Sequence, residues 1–197
     1  RAWIKKYFAW IPSHQDAPRP AYAQAPRGRQ EKRVVLLDKV EVPRGYLVWR
    51  GPPHYARDEA ALATAAGVLS SGKSSRLFKR LVYQDRIAQD VEARFEGQQI
   101  GGAFYVVATA KPGVSAEALI AAIDAEMAAL ARMAPLAGEV DRVKAVSESA
   151  RLAELESLLS RAQRLAGYTV EKNDPNFLSH DLERFRRVAS SDVLRVV

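Results

Sequence analysis

The sequence contains no cysteine. That excludes disulfide bonds, zinc–thiolate centres and cysteine nucleophiles. Histidine is scarce: only His14, His54 and His180 occur. None has a second histidine at the spacing that an H-E-x-x-H helix, or its inverse, needs to set two imidazoles on one face. No G-x-S-x-G elbow marks a serine nucleophile. No apolar run is long enough to cross a bilayer as a helix. The opening residues Arg1-Ala2-Trp3-Ile4 carry neither an initiator Met nor a signal-peptide pattern and begin in mid-pattern, as expected of a piece of a longer protein.

The residues that are present suit an ordinary globular chain. With 197 residues and 48% hydrophobic content there is enough apolar material for a sizeable core. The net charge is +7 and the pI about 9.8. Positive charge alternates with acid along the chain: Glu139, Asp141, Glu148, Glu154 and Glu156 interleave with Arg142, Lys144, Arg151 and Arg161. This is a solvated helix face rather than a basic strip. No aromatic residues interleave with cations, as a single-strand nucleic-acid platform would require, so no nucleic-acid partner is expected. The acidic pairs Asp38/Glu41 and Asp58/Glu59 read as strand-edge and helix N-terminal charges rather than catalytic carboxylates.

One motif stands out. Gly67-Val68-Leu69-Ser70-Ser71-Gly72-Lys73-Ser74 fits G-x-x-x-x-G-K-[ST], the phosphate-binding loop. That loop works only when it leaves a buried strand and opens a helix, so that backbone N–H groups converge on phosphate. Val34-Val35-Leu36-Leu37-Asp38 resembles the apolar strand whose Asp holds magnesium in such enzymes, but it precedes the loop where that element normally follows. Asp58–Ala66 is Ala-rich with acids at its start, which predicts a helix where the loop needs a strand. The structural alternative makes Gly72 the left-handed stop of a helix over 57–71, with Ser74 or Ser75 capping the next. Lys73 and Arg76 then stay near the surface, and Gly67→Ala is expected to be tolerated within the helix.

The remaining chain divides by its breakers. Residues 1–11 read as the end of a helix, and 12–30 as a linker broken by Pro12, Pro18, Pro20, Pro26 and Gly28. Strands are predicted over Glu31–Val42 and Gly45–Arg50, turning at Pro43-Arg44-Gly45. Helices follow at about 57–71 and 74–84, then a hairpin of Ile87–Phe95 and Ala103–Ala110. Ser115 caps a long amphipathic helix with Leu119, Ile120, Ile123, Met127 and Leu130 on one face. A second long helix runs from about Gly138 to about Gly167, another over about 176–187, and Ser190-Ser191-Asp192 caps a last one. The order ββααββααα predicts an α+β fold, an antiparallel sheet packed against helices.

Several segments resemble the pitrilysin/insulinase-type zinc metallopeptidases, the family of the mitochondrial processing peptidase and many bacterial zinc proteases. They are Lys6–Pro12, Val42-Pro43-Arg44 with Tyr46–Trp49, and Gly72-Lys73-Ser74-Ser75-Arg76-Leu77 running on to Tyr83. Ile87–Val91, and Asp174–Leu178 with Asp181–Phe185, complete the set. They fall in the family's order and span nearly the whole chain. Gly72–Leu77 thus serves as a structural family motif.

The resemblance implies paired homologous α+β halves that close around an unfolded peptide. One half carries H-x-x-E-H and zinc, and the other lacks the motif. This sequence resembles the motif-less C-terminal half: 1–12 the tail of the preceding half, 13–30 the linker, and 31–197 the non-catalytic domain. It implies no cofactor here, and zinc in the N-terminal half of the same protein. The implied function is to close the peptide chamber against that half; a structural scaffold subunit of the same family is the alternative within the family. In some motif-less halves an Arg and a Tyr help hold substrate; those positions are Val82 and Gln89 here, which implies that a second homologous subunit supplies the pair. Bacterial members suggest the periplasm, with the cytoplasm as the other compartment.

Overall fold

The structure is a computed structural model that describes residues 1–12 and 30–197; the linker expected at 13–30 lies almost wholly outside the described residues. The chain divides into two compact units, Arg1–Glu31 and Lys32–Val197. The first contains helix α1, Ala2–Phe8, with no buried residue.

The second unit is α+β. Strands β1 (Arg44–Gly51), β2 (Ala88–Gly97) and β3 (Gly102–Ala110) form one antiparallel sheet in the order β1-β3-β2. Helices α2 (Glu59–Ser70), α3 (Ala116–Arg132), α4 (Ala137–Glu154), α5 (Leu158–Lys172), α6 (Leu178–Arg186) and α7 (Ser190–Val196) accompany it, with a π-helix over Phe78–Gln84. The core lies between one sheet face and the helices: Val91, Ala93, Phe104, Val106 and Ala108 meet Ala61, Ala65, Leu69, Leu81, Leu119 and Ile123. Alternation along β3 explains the single covered face, since Phe104, Val106, Ala108 and Ala110 are buried while the residues between them are not.

Three sequence expectations change. Glu31–Val42 is not a strand: Val34, Val35, Leu36 and Leu37 are 65, 82, 87 and 96% exposed, and no described strand pairs with them. Apolar, β-branched residues favour a strand only where neighbours cover them. The helix expected from 138 to 167 is two helices. The last turn of α4 tightens, with the Leu155 and Glu156 N–H groups donating to Leu152 and Ala153 carbonyls, and Ser157 starts α5 by accepting from the Ser160 N–H. The helix expected at 74–84 is mostly π-helical, and ends where the Ile87 N–H reaches the Leu81 carbonyl at 2.9 Å across Arg86, φ 54°.

Asp181 holds the outer helices together. It is buried, and accepts from the Tyr168 hydroxyl at 2.9 Å, Arg151 at 3.1 Å and Arg184 at 2.9 Å. Arg184 continues to Glu59 at 2.7 Å, at the start of α2. Burial and then the Asp181 carboxylate push the Tyr168 phenol up, so it stays a neutral donor.

Candidate functional site

The glycine motif forms an elbow rather than a phosphate cradle. α2 occupies residues 59–70, so a helix precedes the loop where a phosphate site needs a strand. Gly72 has φ 79° and follows the C-terminal residue Ser71, whose N–H still bonds to the Gly67 carbonyl. Ser75 is buried, and its hydroxyl and N–H both donate back to the Gly72 carbonyl, at 2.6 and 3.1 Å. Lys73 and Ser74 are exposed. Nothing in this arrangement supports nucleotide binding.

α4 clamps this elbow at three points. Arg142 donates to the Ser71 carbonyl at the end of α2. Arg76, expected near the surface, is half-buried and pairs in bidentate fashion with Glu139, both bonds 2.8 Å. The Arg76 guanidinium holds the Glu139 carboxyl below the usual carboxylate range. Gly67 faces buried Val143 so closely that an added Cβ would lie 2.4 Å from its Cγ1. The tolerance expected for Gly67→Ala is therefore corrected: the glycine is needed for close packing of α2 against α4.

Val82 and Gln89 sit in irregular backbone. Val82 lies within the π-helix and packs against the core. Gln89 is exposed at the register shift between Ala88 and Asp90 in β2. The neutral aliphatic chain of the one and the carboxamide of the other lack the charge and phenol expected of a substrate-holding pair.

His14 lies outside the described residues. His54 faces Glu171, Nδ1 to carboxylate oxygen 3.3 Å, and His180 lies against Phe177 with ring centres 4.9 Å apart and planes tilted by 46°. Among the described residues no three His, Asp or Glu side chains converge as metal ligands. The described residues do not fit a zinc centre.

The surface suited to an extended ligand is the uncovered sheet face, a feature the sequence reading did not single out. Strand register sets its rows: Arg44, Thr109 and Asp90; Tyr46, Val107 and Glu92; Val48, Tyr105 and Arg94; Arg50, Ala103 and Glu96. Arg44 and Arg50 stand on β1, Asp90, Glu92 and Glu96 stand on β2 together with Arg94, and aliphatic and aromatic groups fill the centre. Arg94 lies 5.4 Å from the Tyr105 ring centre and 3.3 Å from Glu96, and Thr109 donates to Asp90 at 3.2 Å. The only local signal for this face is the alternation along β2, where Asp90, Glu92, Arg94 and Glu96 alternate with apolar residues.

The two sheet edges differ. The Ser70 hydroxyl accepts from the Ala93 N–H at 2.7 Å and donates to the Ala93 carbonyl at 3.0 Å, capping β2 at that residue. No described strand pairs with the outer edge of β1.

The fold is that of an α+β domain, a three-stranded antiparallel sheet with helices packed on one face. Residues 1–147 match the family described as the peptidase M16 inactive domain, and the chain belongs to that family. It is 28% identical over 194 residues to the zinc protease PqqE of Helicobacter pylori, covering 98% of this chain and 44% of that protein. A solved protease from Helicobacter pylori superposes with a TM-score of 0.73 at 29% identity, over 81% of this chain and 38% of that one. A peptidase M16 inactive domain from Pseudomonas fluorescens shares the fold, with a TM-score of 0.67 at 16% identity, over 77% and 36% of the two chains. The chain thus spans less than half the length of these relatives. It is a non-catalytic peptidase domain.

Proposed function

We propose that this chain is one half of a zinc metalloendopeptidase, and that its uncovered sheet face walls a chamber holding an extended peptide. The zinc belongs to a homologous N-terminal half of the same protein. The observation that carries the reading is the sheet itself. Helices cover one face, while the other presents Tyr46, Val48, Tyr105 and Val107 beside Arg44 and Arg50 on β1 and beside Asp90, Glu92, Arg94 and Glu96 on β2. Such a face can pack apolar side chains of an unfolded peptide and pair with charges of either sign, without selecting one residue. Val82 and Gln89 leave the Arg/Tyr role to a homologous partner subunit. Residues 1–12 form the tail of the preceding half and 13–30 its connector.

The test compares the parent protein with residues 1–197 alone. Zinc-dependent, chelator-sensitive turnover is expected of the parent and none of the isolated chain. Within the parent, Val48→Asp is expected to raise KM for an unfolded peptide while leaving zinc content unchanged. Stoichiometric zinc and turnover in the isolated chain would overturn the reading. Absence of turnover in an intact, zinc-loaded parent would favour a scaffold role instead.

A further inference from the structure

Val34-Val35-Leu36-Leu37 is the least explained part of the described chain. All four residues are apolar, all four are more than half exposed, and the segment forms no helix, strand or turn. An alternating strand needs cover on one side only. A continuous apolar run has no solvent face, and is stable as a strand only when both faces and both backbone edges are covered. Here the neighbouring candidate is not used: the outer edge of β1 begins at Arg44, a short connection away, yet no pairing forms. Charges bracket the run, Glu31-Lys32-Arg33 before it and Asp38-Lys39 after it. They confine the apolar strand to about four residues, a common guard against unwanted pairing.

We infer that Val34–Leu37 is an interior β-strand paired on both edges by apolar strands from the part of the parent protein outside residues 1–197. This rests on the reading that the chain is one half of a larger protein. The Helicobacter pylori relative is more than twice the length that this chain covers, so a second body of comparable size is available to supply both strands. A second copy of this chain fits less well. Pairing Val34–Leu37 with its own symmetry mate satisfies one backbone edge and leaves the other bare.

Hydrogen exchange followed by mass spectrometry tests this on the parent protein and on residues 1–197 alone. Amides 34–37 are expected to be protected in the parent by at least about a hundredfold relative to the isolated chain. Leu36→Asp is expected to remove that protection and lower the parent's Tm, while leaving the Tm of the isolated chain unchanged. Equal, fast exchange in both proteins would overturn the inference. So would protection in the isolated monomer, which would place a partner strand within this chain. Protection that appears in the isolated chain only as it dimerises would assign the site to a second copy and also overturn it. Zinc-dependent turnover in a parent whose amides 34–37 exchange freely would sink the strand and leave the peptidase reading standing. Protected amides in a parent without turnover would do the reverse.

Discussion

Val106-Val107-Ala108 in β3 and Val34-Val35-Leu36-Leu37 are nearly the same kind of sequence, yet they end in opposite environments. β3 is the central strand; β1 and β2 flank it on both sides, and Val106 and Ala108 are fully buried. Val34–Leu37 has no described strand beside it, and its most buried member is 65% exposed. β-propensity is therefore a statement about neighbours more than about the residues themselves. A strand is made by what lies next to it.

The largest effect expected from this contrast is between two matched charge insertions. Val106→Asp places an unpaired carboxylate in the core and is expected to cost about 4 kcal/mol or more. Val35→Asp in the isolated chain is expected to stay within about 0.5 kcal/mol. Urea unfolding of both variants measures the difference, and comparable losses would mean that residues 34–37 are already packed.

A smaller effect sharpens the comparison on the helical side. Helix propensity alone favours Gly67→Ala by about 1 kcal/mol. Overpacking against buried Val143 costs about 1–3 kcal/mol, so a net loss of about 1 kcal/mol is expected. Shortening the neighbour, Gly67→Ala with Val143→Ala, should recover part of the Gly67→Ala loss relative to Val143→Ala alone. A gain in stability from Gly67→Ala by itself would show that α2 and α4 are not in close contact.

The smallest effect concerns the ion pair that docks the elbow on α4. The Arg76 hydrogen bonds hold the folded-state carboxyl of Glu139 below its unfolded value. Its stabilisation is therefore fully present above the unfolded carboxylate range, near pH 4.3, and is lost as pH falls through the lower folded value. The contribution is about 1 kcal/mol for a half-buried bidentate pair. Arg76→Met should flatten the acid limb of the stability curve by that amount; an unchanged acid limb would remove Glu139 from the account.

Much of the architecture was legible in the residues. The hairpin expected over Ile87–Phe95 and Ala103–Ala110 is present as β2 and β3, and Ser115 marked the start of α3, where its hydroxyl accepts from the Ala118 N–H at 3.2 Å. The Ala-rich stretch ahead of Gly67 ruled against a phosphate loop, and α2 is there. Three things were not legible. The break at Leu155–Ser157 follows from a tightened turn in a sequence whose helix propensity is continuous. The clamp of α4 on the glycine elbow joins Arg76 to Glu139 across 63 positions, a distance at which local pattern carries no information. The open sheet face was hidden because register, not residue type, decides which side chains share a row.

The sequence by itself determined the class of chemistry this chain lacks, through its missing cysteines and isolated histidines, and it determined most element positions through periodicity and caps. The tertiary structure decided what those elements are for. It made Gly67 a packing contact, capped the edge of β2 at Ala93 with Ser70, put helices on one sheet face, and gave Val34–Leu37 no strand partner among the described residues. Periodicity and capping are local properties of a few consecutive residues. Cover and pairing depend on groups that only the folded chain brings together.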